Sequence, residues 1–344
     1  MKAMLLRELG PLAKNSKPLT FSDVSEPDLS AGEILIRVTT CGVCHTELDE
    51  IEGRTPPPRL PVVLGHQVVG VVQAIHPEAE AQALKVGEGV GVAWIYSACG
   101  VCKYCREGNE NLCVKFRATG RDADGGYAQY MKVRADFAYP IPGSISDAHA
   151  APLLCAGAVG YRALRLSNLQ DGEILGLTGF GASNHLILKM VRHKFPSAKV
   201  FVFSRNAGER EFARSLGAAW AGAIDEASPE LLDAVVDATP AWKPITEALK
   251  HLAPGGRLVI NAIRKEELDK EALLQLDYPT QLWMEKEIKS VANVTRQDVR
   301  EFLELAAQAG IQPEVQEYDL KDANQALNEL KQGKIRGAKV LRVS

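Results

Sequence analysis

The stretch Glu173-Ile-Leu-Gly-Leu-Thr-Gly-Phe-Gly-Ala-Ser-Asn184 decides the fold of this chain. It begins as an apolar run with the length of a buried strand, and it ends as a glycine turn with the pattern G-x-G-x-x-N. Gly179 permits a tight turn, and Gly181 lets the backbone approach a pyrophosphate where Ala182 opens the next helix. We therefore predict a dinucleotide-binding turn, and a plain strand-to-helix turn is the alternative.

Strand and helix patterns alternate after this turn. The predicted strands are Glu173–Thr178, Lys199–Phe203, Asp233–Asp237, Arg257–Asn261 and Glu287–Asn293, and the helices between them are Ala182–His193, Ala207–Leu216 and Trp242–Leu252. The strand at Arg257 is expected to follow a turn at Pro254–Gly256. Short connections between alternating elements predict an α/β fold with a doubly wound parallel sheet.

The first part of the chain has a different pattern. Runs such as Glu33–Thr39 and Val68–Gln73 are rich in β-branched residues, which predicts a compact β-rich domain. The C-terminal segment is predicted to hold one more helix at Arg296–Ala309 and a final strand near Lys339–Val343. We predict one domain from residues 1–155 and 294–344, and a second from residues 156–293.

Length and charge narrow the classes of function. The chain has 344 residues, which suggests two domains of ordinary size. Its formal net charge of -3 gives no electrostatic reason to bind nucleic acid or an anionic membrane. Residues Met1–Leu19 have no signal-peptide pattern, and no apolar run approaches the ~18 residues that span a bilayer. We expect a cytoplasmic protein without nucleic-acid or membrane partners.

Four of the seven cysteines are close together, in the pattern Cys99-x2-Cys102-x2-Cys105-x7-Cys113. In a reducing compartment such a cluster indicates a metal site rather than disulfides. Four thiolates fill the tetrahedral shell of Zn²⁺ and leave no place for a reacting water, so we predict a structural zinc loop at about residues 95–115. The alternatives are an iron–sulfur cluster or free thiols, although the Cys-Pro ending of bacterial ferredoxins is absent.

Cys44, His66 and Cys155 are candidates for a second zinc site. Two thiolates and one imidazole leave a fourth coordination position open, as a catalytic zinc requires. The spacing of these residues does not join them. Taken singly, His66 is compatible with an ordinary core or surface histidine and Cys155 with a small buried side chain, and Cys41 can pair with Cys44 as a Cys-x2-Cys half-site.

Taken together, these motifs show that the chain resembles the zinc-containing medium-chain alcohol dehydrogenases over nearly its whole length. The matching segments are Gly42-Val-Cys-His-Thr46, Pro61-Val-Val-Leu-Gly-His66, Val92-Ala-Trp94, the four-cysteine loop, Gly125-Gly-Tyr127, Ala151-Pro-Leu-Leu-Cys-Ala-Gly157 and the turn at Gly179. The resemblance implies a GroES-like β-rich catalytic domain and a Rossmann domain. It also implies that Cys44, His66 and Cys155 bind the catalytic zinc, and that Cys41 is not a ligand.

The resemblance also implies roles for neighbouring residues. Thr46 is expected to accept the proton of the alcohol, because a hydroxyl both accepts and donates hydrogen bonds. His45 is expected to face the cofactor pyrophosphate. Trp94 is expected to line the substrate pocket and to favour short substrates, with core packing as the alternative role. Glu47 stands where an Asp usually supports the ligand histidine, and it remains able to orient His66.

Two positions near the predicted metal site depart from the family pattern. Gln67 replaces a Glu next to the ligand His66, which removes a negative charge; our hypothesis is that the alcohol becomes slightly more acidic. Asp49 stands where many members carry a relay histidine, so the sequence does not predict how the proton path continues beyond Thr46.

The cofactor prediction depends on the end of the second strand. Ser204 and Arg205 stand where an Asp or Glu would bind the ribose 2′-hydroxyl of NAD, so we predict NADP, with NAD and a Ser204 contact as the alternative. Ala338 takes the place of the family's pyrophosphate-binding arginine, and Arg296 and Arg336 are candidates to replace it.

These observations predict a zinc-dependent enzyme with two zinc ions per chain, which interconverts a small primary alcohol and its aldehyde with NADP or NAD. The alternatives are an aldehyde reductase similar to the cinnamyl alcohol dehydrogenases and a catalytically silent zinc-stabilised protein of the same fold. A zinc-free reductase would not need the two cysteine sets, and a polyol dehydrogenase usually has a carboxylate in place of Cys155. The resemblance implies a homodimer or a homotetramer.

Overall fold

The computed structural model describes residues 1–79, 84–333 and 337–343. The described residues form two compact units. The first comprises Met1–Cys155, Val294–Ala307 and Gln312–Ser344, and the second comprises Ala156–Asn293 and Gln308–Ile311. None of the described helices is long and apolar enough to cross a membrane.

The strands follow one another in chain order from β1 to β18. They are β1 Lys2–Leu6, β2 Leu19–Asp23, β3 Glu33–Val43, β4 Val62–Val63, β5 Val68–Ile75, β6 Gly89–Val92, β7 Ile95–Ser97, β8 Arg117–Ala118, β9 Tyr130–Arg134, β10 Tyr139–Pro140, β11 Ile174–Thr178, β12 Lys199–Phe203, β13 Trp220–Gly222, β14 Leu232–Asp237, β15 Leu252–Ile260, β16 Glu287–Ser290, β17 Val315–Asp319 and β18 Ala338–Arg342.

The α-helices are labelled in the same way. They are α1 His45–Ile51, α2 Lys103–Arg106, α3 Asp147–Pro152, α4 Ala158–Ser167, α5 Ala182–Lys194, α6 Ala207–Ser215, α7 Lys243–His251, α8 Tyr278–Gln281, α9 Arg296–Gln308 and α10 Ala323–Lys331. A π-helical segment, Leu153–Gly157, joins α3 to α4.

The first unit is built around a seven-stranded sheet. Its order is β10-β6-β5-β3-β18-β17, and β9 also pairs with β3. Along β3 the side chains of Ile34, Ile36 and Val38 are fully buried and alternate with more exposed residues, as a strand with one face on a core requires. The antiparallel pairing of β18 with β3 brings the C-terminal segment back into this unit.

The prediction of a single helix in the C-terminal segment is wrong. Besides α9, the structure has α10 and the strand β17. Ala323, Ala326, Leu327 and Leu330 are buried at the helical spacing i, i+3, i+4 and i+7, because α10 packs one apolar face onto the unit. The pattern was therefore present in the sequence. The predicted final strand is confirmed as β18.

The second unit contains a six-stranded parallel sheet with the order β13-β12-β11-β14-β15-β16. From β11 the chain first adds β12 and β13 on one side of the sheet and then adds β14, β15 and β16 on the other side. In such sheets this change of side creates a crevice at the carboxyl ends of the strands. The predicted start of a strand at Arg257 is wrong, because β15 begins at Leu252. The predicted turn at Pro254–Gly256 lies within β15 as an irregularity, where the pairing shifts from Leu252 to Arg257.

Candidate metal centres and dinucleotide turn

The structure brings Cys44, His66 and Cys155 together in the first unit. Cys44 follows β3 and precedes α1, His66 lies between β4 and β5, and Cys155 lies in the π-helical segment. The Sγ atoms of the two cysteines are 4.0 Å apart, and Nε2 of His66 is 3.2 Å from Sγ of Cys155. All three donor atoms lie within 4.8 Å of one another, which is close enough for a single metal ion.

Glu47 fixes the orientation of His66. Its Oε1 lies 2.5 Å from Nδ1 of His66, so the other ring nitrogen, Nε2, faces the two sulfurs. Oε2 of Glu47 accepts a hydrogen bond from the backbone N–H of Cys44 at 2.8 Å. Because Glu47 and His66 are both buried, this carboxylate holds two members of the cluster in place.

Electrostatics in the cluster favour a thiolate at Cys44. A hydrogen bond from Cys155 lowers the pKa of Cys44 well below its usual value, and His66 contributes in the same direction. The same contact raises the pKa of Cys155. Burial alone would lower the pKa of His66, but the Glu47 carboxylate and Cys44 raise it well above its usual value. The thiolate is the form of cysteine that binds metal ions.

Thr46 and His45 occupy the first turn of α1, next to Cys44. Oγ1 of Thr46 lies 3.7 Å from Sγ of Cys44, so the hydroxyl is beside the metal-binding cluster. His45 is exposed. Asp49 is buried, and its Oδ1 accepts a hydrogen bond from Nε of Arg54 at 2.5 Å. The place of a relay histidine is therefore taken by one half of an ion pair.

Glu50 is a buried residue that no motif in the sequence indicated. Its side chain is 0 % exposed, and among the described residues neither carboxylate oxygen has a hydrogen-bond partner. Burial raises its pKa well above the usual value, and the nearby Glu47 adds to this effect. The only sequence signal was its position three residues after Glu47, which places both on one face of α1.

Gln67 and Trp94 are also placed in the first unit. Gln67 is buried and packs so closely on Gly42 that a Cβ atom there would meet its side chain. The Trp94 ring lies 5.4 Å from that of Phe116, and the guanidinium of Arg121 lies 5.8 Å from the Trp94 ring. Among the described residues, Nε1 of Trp94 is buried without a hydrogen-bond partner.

The four clustered cysteines form a second group of donor atoms. The Sγ atoms of Cys102 and Cys105 are 3.6 Å apart, and those of Cys99 and Cys105 are 3.9 Å apart. The backbone N–H of Cys99 points to Sγ of Cys113 at 3.5 Å. Hydrogen bonds from the backbone of Val101 and Cys102 lower the pKa of Cys99 to about 6. All four sulfurs lie within 4.8 Å of one another.

Arg296 attaches the four-cysteine loop to α9. Its Nε donates to Oε1 of Glu110 at 3.0 Å, and its Nη1 donates to Oδ2 of Asp136 at 2.8 Å. Two carboxylates therefore hold the guanidinium of Arg296, one of the two candidates for a pyrophosphate contact, and this favours a structural role for it. The other candidate, Arg336, lies outside the described residues.

The glycine turn of the second unit joins β11 to α5, which begins at Ala182. Gly179 has φ +73°, a conformation that favours glycine, and an added Cβ at Gly181 would meet nothing within 4 Å. Asn184 is 0 % exposed, and its side-chain amide donates to the carbonyls of Thr178 and Gly179 at 3.0 and 2.8 Å. The asparagine therefore closes the turn with its own hydrogen bonds.

Ser204 and Arg205 follow β12, as the sequence predicts, but the two side chains have different surroundings. Ser204 is buried, and its hydroxyl donates to Oε2 of Glu209 at 2.5 Å. Arg205 is exposed. Glu209, which no motif in the sequence indicated, brings a carboxylate to this place from α6.

Family models match both parts of the chain. The "Alcohol dehydrogenase GroES-like domain" matches residues 30–143, and the "Zinc-binding dehydrogenase" model matches residues 202–341. These matches define the class and confirm the predicted fold, a GroES-like domain combined with a Rossmann-like parallel-sheet domain. The chain belongs to the zinc-dependent medium-chain alcohol dehydrogenase family.

Similar proteins agree with this assignment. The Mycobacterium tuberculosis protein "Probable alcohol dehydrogenase AdhA" is 40% identical, over 99% of this chain and 97% of its own length. An alcohol dehydrogenase of Geobacillus stearothermophilus is 33% identical, over 95% of this chain and 97% of its own. The solved structure of the cinnamyl alcohol dehydrogenase SbCAD4 from Sorghum bicolor has a TM-score of 0.84 and 26% identity, covering 99% of this chain and 97% of that one. Family membership supports alcohol dehydrogenase activity on small molecules, with zinc and a nicotinamide cofactor.

Proposed function

We propose that this chain interconverts a small primary alcohol and its aldehyde, with zinc at Cys44, His66 and Cys155 and a nicotinamide dinucleotide as hydride carrier. The observation that carries the proposal is the convergence of these three donor atoms within 4.8 Å. When bound, zinc supplies a Lewis acid that lowers the pKa of an alcohol, and the nicotinamide accepts the hydride.

The residues present fit a catalytic zinc ion. Two sulfurs and one imidazole nitrogen are ligands that Zn²⁺ prefers, and three protein ligands leave a fourth position for substrate. The hydrogen bond from His66 to Glu47 directs Nε2 towards the sulfurs, as a metal-binding histidine requires. Four cysteines fit the structural type of site equally well, so we propose a second zinc ion at Cys99, Cys102, Cys105 and Cys113.

Thr46 is the proposed proton acceptor for the alcohol. Its hydroxyl lies beside Cys44, and a hydroxyl can take one proton while giving up another without holding a charge. Because Arg54 already binds Asp49, we propose that Asp49 does not continue the proton path as a histidine would. His45, exposed at the start of α1, is the proposed contact for the cofactor pyrophosphate.

Trp94 is the proposed wall of the substrate pocket. Its ring is held by Phe116 and by the Arg121 guanidinium, so a large, fixed indole would limit the size of the substrate. This favours short alcohols over bulky ones. Gln67 leaves the neighbourhood of His66 with one carboxylate fewer, which we propose makes the alcohol more acidic.

The dinucleotide is proposed to bind at Gly179, Gly181 and Ala182, so that the second unit acts as the Rossmann domain and the first as the catalytic domain. The prediction of NADP depended on a missing carboxylate after β12 and on Arg205. Arg205 still favours NADP, but Glu209 supplies a carboxylate to Ser204 and favours NAD. An Arg205→Ala variant tests the first contribution, because only NADP binding should weaken.

We also propose a homodimer or homotetramer. β16 is the last strand of its sheet, and all four of its residues are exposed. One of these four residues is the large apolar Ile288, and the apolar side chains of Leu274 and Trp283, which precede the strand, are also exposed. An exposed strand edge and exposed apolar side chains are features that a second subunit covers. Light scattering after size-exclusion chromatography measures the mass directly.

An aldehyde reductase is the second candidate function, favoured by the similarity to the Sorghum bicolor cinnamyl alcohol dehydrogenase. A panel of alcohols and aldehydes with both cofactors separates the two directions, and metal analysis is done on the same sample. About two zinc ions per chain with turnover supports the proposal, and Cys155→Ser should keep only the structural zinc and lose turnover. Two zinc ions without turnover on any substrate would support a catalytically silent protein.

A further inference from the structure

Glu209 places a carboxylate on the glycine turn of the second unit. Its Oε2 accepts hydrogen bonds from the hydroxyl of Ser204 at 2.5 Å and from the backbone N–H of Phe180 at 3.3 Å. Ser204 directly follows β12, and Phe180 stands between the two glycines of the turn. One carboxylate oxygen therefore joins the end of the second strand of this fold to its dinucleotide turn.

The start of α6 holds the carboxylate in this position. Oδ1 of Asn206 accepts hydrogen bonds from the N–H groups of Gly208 and Glu209, which fixes the helix immediately after the strand. The Arg210 side chain donates to the carbonyl of Ser204 at 2.7 Å. A carboxylate in the first turn of a helix is also stabilised by the helix dipole. Hydrogen bonds and the helix start together hold the Glu209 carboxylate against the turn.

We propose that Glu209 determines which dinucleotide this enzyme accepts, by selecting an unphosphorylated adenosine ribose. The inference rests on the proposed dinucleotide site at the glycine turn. In this fold a carboxylate at the end of the second strand receives the ribose hydroxyls. Here the strand ends in Ser204, and the carboxylate comes from the helix that follows, with Ser204 as its hydrogen-bond donor.

The negative charge of Glu209 determines which of the two dinucleotides, NAD or NADP, binds more tightly. A carboxylate accepts hydrogen bonds from the two hydroxyls of an NAD ribose, whereas it repels the 2′-phosphate of NADP. The hydrogen bonds from Ser204 and Phe180 both end on Oε2 of Glu209, and the side chain is only half-buried, so a ribose can reach Oε1. Arg205 is exposed, so solvent and salt screen its positive charge more than they screen the half-buried carboxylate of Glu209. The enzyme therefore prefers NAD.

The test is the binding of NAD⁺ and NADP⁺, measured by isothermal titration calorimetry on wild type and Glu209→Gln. Glutamine keeps the size of the side chain and an oxygen that accepts from Ser204, so the substitution removes mainly the charge. Glu211→Gln is the matched control, because Glu211 is exposed two residues further on the same helix. Wild type should bind NAD⁺ more tightly, and Glu209→Gln should shift the ratio of the two dissociation constants towards NADP⁺ by about tenfold or more. Glu211→Gln should leave the ratio unchanged.

Three results would contradict these proposals in distinguishable ways. A ratio that Glu209→Gln leaves unchanged overturns the role of Glu209 while the dinucleotide site stands. A wild-type protein that binds neither dinucleotide overturns the proposed function as well. If Glu209→Gln does not fold, the wild-type protein decides the question alone: adenosine 5′-monophosphate should bind more tightly than adenosine 2′,5′-bisphosphate, and the opposite order overturns the inference.

Discussion

Oε1 of Glu47 and Nδ1 of His66 are 2.5 Å apart, and both side chains are buried in the first unit. The second oxygen of the same carboxylate binds the backbone of Cys44. A single side chain thus fixes both a histidine and the cysteine that precedes α1.

Glu47→Gln should weaken zinc binding at the three-residue site by about 10- to 100-fold. In the glutamine variant the amide oxygen accepts the hydrogen bond from the Cys44 N–H, which leaves the NH2 group facing Nδ1 as a donor. His66 would then carry its proton on Nε2, the nitrogen that the metal needs. Competition with a chromophoric chelator measures the affinity. Glu78→Gln, at an exposed glutamate, is the control and should bind zinc as wild type does. Equal affinities for both variants would show that Glu47 does not support the site.

Cys102→Ser should remove one zinc ion per chain and lower the free energy of unfolding. The reason is that three sulfurs and a hydroxyl bind zinc less tightly than four sulfurs do. With zinc at about 1,000 times the dissociation constant of the intact site, losing the site costs about 4 kcal/mol. Metal analysis and thermal melts measure the two effects. Cys41→Ala is the control for metal content, since Cys41 lies in neither group of donor atoms among the described residues. If Cys102→Ser still holds two zinc ions per chain, the assignment of the structural site is contradicted.

Gln67→Glu should move the pH dependence of kcat/KM for alcohol oxidation to higher pH. The added negative charge near His66 opposes loss of the alcohol proton, so a higher pH is needed to reach the same rate. Gln73→Glu makes the same change on an exposed residue of β5 and should leave the profile in place. If the pH profile of kcat/KM for Gln67→Glu coincides with that of wild type, the hypothesis about this position is disproved.

The pair Glu329 and Lys339 should make stability sensitive to acid. Lys339 is fully buried, its Nζ lies 2.8 Å from Oε2 of Glu329, and this contact, with one from Tyr318, holds the pKa of Glu329 at about 2 instead of 4.5. Because the pKa is lower in the folded protein, the stabilisation is complete above pH 4.5 and disappears as the pH falls towards 2.

Glu329→Gln should therefore unfold more easily than wild type near pH 7, by about 1–3 kcal/mol, and the difference should shrink below pH 4.5. Urea unfolding across this pH range measures the effect. Glu304→Gln, at an exposed glutamate of α9, is expected to follow wild type at every pH. A difference for Glu329→Gln that stays constant with pH would exclude the ion pair as its cause.

The features that could be predicted from the sequence are those that depend on residues close together along the chain. The four clustered cysteines and the alternation of strands and helices around Gly179 need only short-range patterns, and both the strand order and the four-sulfur group agree with them. Cys155 is 111 residues from Cys44 and 89 from His66, so only the family resemblance could join them.

Two carboxylates could not be predicted in the same way. Glu209 reaches Ser204 and Phe180 because α6 begins directly after β12, a contact that a search for an acidic residue at the strand end overlooks. Glu50 contradicts the usual preference of carboxylates for the surface, so a sequence pattern would treat it as an exposed helical residue. The contact between Glu209 and Phe180 joins residues 29 positions apart, and the burial of Glu50 depends on how α1 packs, so no local pattern contains either.

The π-helical segment at Leu153–Gly157 determines the direction in which the Cys155 side chain leaves the helix axis. A π-helical turn holds one residue more than an α-helical turn, and each residue advances an α-helix by about 100° around its axis. Removing one residue just before Cys155 would regularise the helix and rotate the sulfur about a quarter of a circle away from Cys44 and His66. The extra residue of the π-helical turn therefore directs the Cys155 thiol towards the other two donor atoms. Insertions or deletions in this segment should impair the site far more than substitutions do.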